Sequence, residues 1–226
     1  MEKYSPYNLE MITLIHPSRN RPEMAYNQLQ NWLKKSSGQI VIQHILSIDL
    51  DEPQADKYKE LFTASLIVQN NPSEGYVVGA TNEGAKFAKG GILIYLSDDF
   101  DCPQNWDIEV TNRLAGRRLT ALHVNDDYSN FRNLFTIPII TRDLYDKWGF
   151  FWHPDFKSMF CDNFMWEQVK REGYILKAKD LVFRHDHHDL KRAEKDETYI
   201  RSGAQYNAGR TVFNKLCKRL KWNCQY

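Results

Sequence analysis

The sequence predicts a single α/β domain with a mostly parallel central sheet, flanking helices and a helical C-terminal tail. At about 100–200 residues per domain, its 226 residues predict one domain, or one domain plus a tail, long enough to bury its own core. Near the N-terminus a strand, a helix and a second strand follow one another through short connections, which is the order of a right-handed βαβ unit. Residues 92–96 (ILIYL) are almost continuously apolar, as is typical of a strand at the centre of a parallel sheet.

The first elements are predicted from local signals. Residues 11–16 form a β-prone run, and a helix follows from Pro22, which suits a first helical turn. Residues 40–48 are rich in Ile and Val and predict the second strand. A short helix over 57–64 and a strand over 66–69 come next.

A further helix is predicted over 81–89, with Thr81 as its cap and Gly84 as a weakening residue. The strand over 92–96 then ends at a polar loop. The remaining predictions are strands over 119–124 and 136–141, helices over 143–149 and 160–172, and one or two strands over 175–183.

Composition excludes several classes of protein. A charged fraction of 26% and an aromatic fraction of 13% are unlike those of a disordered chain. No apolar run approaches the ~20 residues of a membrane-spanning helix, and Met1–Pro6 has no apolar signal-peptide core. The net charge of +1 argues against a globally basic nucleic-acid binder.

The cysteines and the tail bear on location and partners. Cys102, Cys161, Cys217 and Cys224 have no C-x-x-C spacing, so we expect neither a zinc ribbon nor a disulfide framework, but a reduced cytoplasmic protein. Residues 201–226 carry six basic and no acidic side chains. A basic amphipathic helix there is compatible with peripheral contact to an anionic membrane, with a nucleic-acid phosphate backbone, or with packing on the domain.

Polar side chains follow three predicted strands, at the edge where open α/β sheets bind ligands. The segments are His16–Arg19, Asp49–Asp51 and Ser97–Asp99. Paired carboxylates after a buried strand suit Mg²⁺ or Mn²⁺, which often take one or two carboxylates plus nucleotide phosphates. The alternative is that these Asp residues only form turns, where Asp is common.

A histidine-rich segment, which contains His185, His187 and His188, follows the apolar run Leu181–Phe183. Imidazole is an acceptable manganese ligand, so one of these histidines beside an Asp-bound metal is chemically coherent. The alternative is a solvated polar loop. Zinc is less favoured because no Cys spacing supports it.

Taken together, these motifs resemble the inverting, family-two-type glycosyltransferases with the GT-A fold, over about residues 11–188. The resemblance is carried by the loop Pro17–Arg21, by Asp49 or Asp51 after the second strand, and by Ser97–Asp99 in place of Asp-x-Asp. Asn82 and Gly84 match an Asn-x-Gly pattern before the metal strand. Cys161-Asp162, followed by Gly173-Tyr174, matches a Glu-Asp motif that opens a helix, with Cys in place of Glu.

The resemblance implies a metal-dependent transfer of a sugar, with inversion, from a nucleotide-sugar donor (a UDP-sugar) to an acceptor hydroxyl. It implies Asp162 as the general base, although this residue also suits a helix N-cap, and Asp99 with His185 or His187 on the metal. Residues 1–100 would form the donor half, 101–190 the acceptor half, and 191–226 a basic helical extension. The implied donor contacts are Pro17, Ser18, Arg19, Arg21, Asp49, Asp51, Asn82 and Asp98, and the implied acceptor contacts are Trp106, Trp148 and Trp152.

The acceptor stays open between a glycan or lipid-linked saccharide and a hydroxylated base in DNA. Two other functions stay open as well. A nucleotidyltransferase shares the α/β plan but normally has a glycine-rich loop after the first strand, which HPSRNRP lacks. A non-catalytic nucleotide-sugar or glycan-binding module would account for the substituted Ser97 and Cys161.

Overall fold

The computed structural model describes residues 10–70, 76–129, 133–192 and 196–224. Residues 1–6, which were expected to lack a signal-peptide core, lie outside these ranges. Within the described residues the strands are β1 (Met11–Pro17), β2 (Val41–Asp49), β3 (Leu66–Asn70), β4 (Ile92–Tyr95), β5 (Phe100–Asp101), β6 (Ala121–Asn125), β7 (Ile139–Thr141), β8 (Ile175–Val182) and β9 (Arg184–His185). The α-helices are α1 (Pro22–Lys35), α2 (Ala55–Leu61), α3 (Tyr76–Ala85), α4 (Trp106–Leu114), α5 (Arg142–Trp148), α6 (Cys161–Glu172), α7 (Glu197–Gly203) and α8 (Tyr206–Arg219).

The central sheet is mostly parallel, as predicted. Its strand order is β3-β2-β1-β4-β7-β6-β8, and β7 runs antiparallel to both of its neighbours. In β1, Ile12 lies between Ile42 of β2 and Ile92 of β4. Because β1, β2 and β4 are parallel, the polar segments that follow them meet at one edge of the sheet.

Helices cover both faces of the sheet, because side chains alternate along each strand. Ile12 and Leu14 of β1 join a core on one face that contains Trp32 of α1 and Trp106 of α4. Ile15, one residue further, joins the core on the other face, with helices α3, α5, α6 and α8. The α/β fold class with a helical C-terminal tail is therefore confirmed.

A separate two-stranded sheet lies beside the carboxyl edge. Strands β5 and β9 pair antiparallel, with Phe100 opposite His185. The backbone N–H of Asp186 also donates to the carbonyl of Asp99, at 2.8 Å. This pairing holds the loop after β4 against the histidine-rich segment.

Helix α3 corrects one prediction. It begins at Tyr76 and ends at Ala85, several residues before the predicted 81–89. Thr81 therefore lies inside the helix, where its hydroxyl donates to the Val77 carbonyl instead of capping the N-terminus. Gly84 has a packing role, because a Cβ there would stand 3.2 Å from the Ile15 side chain.

The C-terminal helix packs into the body of the domain. Phe213 and Leu216 of α8 are buried in the core, and a Cβ at Gly209 would stand 2.3 Å from the Met159 carbonyl oxygen. Much of the apolar face of this helix is thus covered by protein, whereas Leu220 at its end is 41% exposed. No helix among the described residues combines the length and apolar character needed to cross a membrane.

The cysteines differ from the expectation of a fully reduced chain. Cys217, near the end of α8, is joined to Cys224 by a disulfide. The chain turns back after α8, where Lys221 has a positive φ of 57°, and this brings the two Cα atoms to 6.3 Å, within the usual range for a bridge. Cys102 and Cys161 are free and buried.

Candidate functional site

A cavity of about 540 Å³ opens at the carboxyl edge of the sheet, a size typical of small-molecule sites. One wall is formed by the residues after β1, β2 and β4, and the start of α6, helix α7 and helix α8 supply further lining residues. Most of the residues that the sequence singled out line this cavity: Pro17, Ser18, Arg19, Arg21, Asp49, Asp98, Asp99, Trp152, Asp162, His185 and His187.

Asp98 is buried and occupied by protein partners. It accepts hydrogen bonds from His16 Nε2 at 2.9 Å and from Ser18 Oγ at 3.1 Å, and Arg21 Nη1 stands 3.7 Å away. These contacts fix the loop after β4 to the loop after β1. Asp98 therefore orients the site from within the protein, and its neighbour Asp99 is the carboxylate better placed for a metal.

His16 belongs to a chain of buried hydrogen bonds that ends at Asp98. His44 lies 3.1 Å from His16 between ring nitrogens, and its other nitrogen lies 2.7 Å from Ser65 Oγ. Donation from Ser65 to His44, from His44 to His16 and from His16 to Asp98 gives each of these ring nitrogens a hydrogen-bond partner. Burial, reinforced by the neighbouring His16, lowers the pKa of His44 well below its ordinary value.

We expect this buried histidine to make the stability of the fold depend on pH. Because the pKa of His44 is lower in the folded chain, the unfolded chain binds its proton more readily, and stability falls as the pH drops below about 6.5. His44→Gln should reduce this loss by up to about 1.4 kcal/mol per pH unit. Urea unfolding of both proteins between about pH 7.5 and 5.5 measures the difference, and equal slopes would contradict the assignment.

Asp99 and His185 are a neighbouring pair of side chains that could hold a metal ion. His185 Nε2 lies 3.3 Å from Asp99 Oδ2, and Tyr199 donates its hydroxyl to the same carboxylate oxygen. Among the described residues, Asp99 Oδ1 and His185 Nδ1 are buried and make no hydrogen bond. Burial raises the pKa of Asp99, but the bonds from His185 and Tyr199 outweigh it and hold the pKa below the ordinary value.

This donor set fits a divalent cation such as Mn²⁺ or Mg²⁺. A carboxylate oxygen suits both ions, and an added imidazole favours manganese. His187 lines the same cavity, but its Nδ1 accepts the backbone N–H of Asp189 at 3.2 Å. It belongs to a second group, in which ligand atoms of His187, His188 and Asp189 lie within 4.8 Å of one another. Asp189 was not predicted as a ligand, although it belongs to the run HDHHD (residues 185–189).

Asp49 and Asp51 are distinguished by their surroundings. Both accept hydrogen bonds from Arg19, at 2.9 and 2.7 Å. Asp49 is buried and lines the cavity, whereas the Asp51 side chain is 55% exposed and is not part of the cavity lining. Asp49 is therefore the carboxylate that a ligand in the cavity can reach.

Asp162 lies in the first turn of α6, and the residue at the N-cap is Phe160, with a positive φ of 70°. The N-cap alternative for Asp162 is therefore wrong. One of its oxygens accepts the backbone N–H of Asn163 at 2.9 Å. Burial, together with the charge of Asp126, raises the pKa of Asp162 above its ordinary value, which makes the carboxylate a stronger proton acceptor. Burial also raises the pKa of Cys161, so this side chain stays a thiol.

The three tryptophans predicted as acceptor contacts have different positions. Trp152 lines the cavity. Trp106 is wrong as an acceptor contact, because it is fully buried in the core and donates from Nε1 to the Trp32 carbonyl. Trp148 does not line the cavity and contacts Glu172 at 3.3 Å through Nε1.

Asn82 acts on the protein backbone rather than on the cavity, which it does not line. Its Oδ1 accepts the N–H groups of Phe151 and Trp152, both at 2.9 Å, and its Nδ2 donates to the Trp152 carbonyl at 2.8 Å. These bonds tie helix α3 to the aromatic loop before α6. The residue predicted as a donor contact thus positions Trp152.

The residues that sequence reasoning missed come from the C-terminal segment. Tyr199 of α7 contacts Asp99, and Arg201 Nη1 lies 3.6 Å from Asp49 Oδ2. Tyr206 and Arg210 of α8 also line the cavity. The basic character of this segment was noted from the sequence, but neither the cavity position of Arg201 nor the contact of Tyr199 was predicted.

The fold and the cavity at the carboxyl edge define a class: the α/β fold of nucleotide-sugar glycosyltransferase structures. A mannosyltransferase from Pyrobaculum calidifontis, PcManGT, solved with GDP-Man and Mn²⁺, matches with a TM-score of 0.59 and 13% identity, over 97% of this chain and 77% of that one. TarS 1–349 of S. aureus in complex with UDP matches with a TM-score of 0.61 and 14% identity, over 77% of this chain and 60% of that one.

These structural similarities show a shared fold only. This chain spans only 36% of the longer TarS chain. No protein-family model and no curated protein matches the sequence. At 13–14% identity the structural likeness establishes the GT-A-like architecture.

Proposed function

We propose that the chain is a metal-dependent glycosyltransferase that moves a sugar from a nucleotide-sugar donor, a UDP-sugar, to an acceptor hydroxyl with inversion. The observation that carries the proposal is the convergence on one cavity of Asp162 and the Asp99–His185 pair. The two solved structures with UDP and with GDP-Man and Mn²⁺ support a nucleotide-sugar donor for this fold.

Donor binding follows from the charges of the first wall. Asp49 and Arg19 would hold the base and ribose through hydrogen bonds, with Asp51 orienting Arg19 from outside the cavity. Arg21 keeps its charge, because its bond to Asp196 outweighs the effect of burial and raises the pKa of its guanidinium. It can therefore face the diphosphate, while Asp98 holds the loops of this wall together.

Asp99 and His185 would hold Mn²⁺ or Mg²⁺, with His187 as the alternate ligand. When bound, such an ion neutralises the charge of a departing diphosphate as a Lewis acid. Asp162 takes the proton of the acceptor hydroxyl as that oxygen attacks the anomeric carbon on the face opposite the leaving group. The acceptor is a glycan, a lipid-linked saccharide or a hydroxylated base in DNA, and of the three tryptophans predicted to contact it, Trp152 lines the cavity.

A donor panel tests the proposal. UDP-glucose, UDP-N-acetylglucosamine, UDP-galactose and GDP-mannose are incubated with Mn²⁺, with and without EDTA, and the released nucleoside diphosphate is measured. We expect metal-dependent release from at least one UDP-sugar. Pyrophosphate release from nucleoside triphosphates would instead indicate a nucleotidyltransferase, and donor binding without any release would indicate a binding module.

A further inference from the structure

Three side chains of the segment 196–201 contact the groups that the proposed function assigns to the donor and its metal. Asp196 accepts two hydrogen bonds from Arg21, both at 2.5 Å. Tyr199 donates its hydroxyl to Asp99. Arg201 approaches Asp49 at 3.6 Å, and its guanidinium lies over the Tyr76 ring at 4.4 Å from the centroid.

Each contact has the chemistry of one part of a nucleotide-sugar. The Asp196 carboxylate is an anion on an arginine, as a diphosphate would be. The Arg201 guanidinium is planar, donates hydrogen bonds and stacks on an aromatic ring, as a nucleobase would do beside Asp49. The Tyr199 hydroxyl bonds to Oδ2 of Asp99, one of the two oxygens through which this carboxylate could hold a metal ion.

The way in which α7 is held permits its release. Helix α7 has no buried residue. Its further contacts with the site are a bond from Thr198 to the Arg19 carbonyl at 3.2 Å and ring contacts of Tyr199 with Arg21, His187 and His188. Helix α8, by contrast, buries Gly209, Phe213, Leu216 and Cys217. Segments with few buried apolar contacts open at low free-energy cost, so α7 can leave while α8 stays docked.

We propose that residues 196–201 are a built-in competitor of the donor, which binds by displacing α7 from the first wall of the cavity. This inference rests on the proposed function. The apparent affinity for the donor equals the affinity of the open site multiplied by the fraction of molecules in which α7 is undocked. Weakening the α7 contacts therefore tightens donor binding.

Two conservative variants test this with UDP and Mn²⁺ as the probe. Asp196→Asn removes the negative charge that contacts Arg21. It keeps a side chain able to cap α7, where Asp196 accepts the Tyr199 N–H at 3.1 Å. Tyr199→Phe removes the hydroxyl but keeps the ring beneath Arg21, at 4.8 Å. Loss of one such hydrogen bond should tighten UDP binding roughly threefold to tenfold by calorimetry.

Two control variants make the same substitutions, Asp to Asn and Tyr to Phe, at residues that do not line the cavity. Asp180→Asn breaks an exposed two-bond contact with Arg113, and Tyr174→Phe breaks a contact with Lys147. Both should bind UDP as the unchanged protein does. In hydrogen exchange, UDP with Mn²⁺ should speed exchange of the amides of residues 197–203.

The outcomes separate this inference from the proposed function. Weaker UDP binding by both variants, or slower amide exchange in 197–203 on adding UDP, would show that α7 closes over the donor and would overturn the inference alone. Unchanged affinities in both variants would also overturn it alone. No binding of UDP or GDP by the unchanged protein or either variant would overturn the inference and the proposed function together.

Discussion

Asp162→Asn is expected to lower sugar transfer by about 100-fold to 10,000-fold while leaving the affinity for UDP and Mn²⁺ nearly unchanged. An amide has the shape of the carboxylate, but it cannot accept the proton of the acceptor hydroxyl. Because burial raises the pKa of Asp162, the rate of the unchanged enzyme should fall on the acid side as this carboxylate is protonated. Steady-state rates with the best donor of the panel and calorimetry with UDP measure the two effects.

A matched variant guards against a general loss of structure. Asp155 lies in the loop before α6, does not line the cavity, and its side chain is 48% exposed beside Arg219. Asp155→Asn should therefore transfer sugar at the normal rate. If Asp162→Asn keeps more than a small fraction of the activity, another group must act as the base.

Asp99→Ala is expected to weaken Mn²⁺ binding by about 100-fold or more. Loss of a residue that only orients a metal ligand already costs about 10-fold to 100-fold, and Asp99 is proposed as a ligand itself. The loss removes both carboxylate oxygens, including the buried Oδ1 that has no partner among the described residues. Affinity for UDP should fall with it, because an ion held by Asp99 would supply positive charge that attracts the diphosphate. Calorimetric titration of Mn²⁺ into protein saturated with UDP measures the change.

The second histidine group provides the comparison. Asp189→Asn alters the group of His187, His188 and Asp189 but leaves Asp99 and His185 in place. We expect this variant to bind Mn²⁺ and UDP as the unchanged protein does. If Asp189→Asn loses the metal and Asp99→Ala keeps it, the ligands have been assigned to the wrong group.

Elements with strong local signals could be predicted from the sequence. Strands β1, β2 and β4 are apolar runs that end in polar loops, and α1 begins at a proline and carries one apolar stripe. Helix α3 was misplaced because its first residues, Tyr76, Val77 and Val78, favour strands in isolation. Packing of Val78 and Gly84 against the sheet overrides that preference.

Helix α4 was missed although its pattern is visible in retrospect. Trp106, Val110 and Leu114 recur every four residues and are all buried, as expected of one face of a helix. Its N-cap, Asn105, has a left-handed conformation and makes no side-chain capping bond, so the usual start signal is absent. Because helix α4 was not predicted, Trp106 could not be recognised as part of its buried face, and it was predicted as an acceptor contact instead.

In the candidate site, the sequence identified residue types but not their partners. The motif after β4 indicated a metal carboxylate. The different surroundings of the two aspartates depend on distant partners: Asp98 contacts His16, 82 positions away, and Asp99 contacts Tyr199, 100 positions away. Asn82 matched a donor motif but bonds to the backbone of Trp152, 70 positions further on. Such contacts are set by tertiary structure and leave no periodic signal in the chain.

The small sheet formed by β5 and β9 has a consequence for how the protein is made. Asp99 and His185 are separated by 86 positions, and the pairing of Phe100 with His185 is what brings them together. During synthesis, which proceeds from the N-terminus, strands β1, β2 and β4 leave the ribosome long before β9 does. A nascent chain that ends before residue 185 therefore has no histidine beside Asp99, so the proposed metal site is completed only late in synthesis.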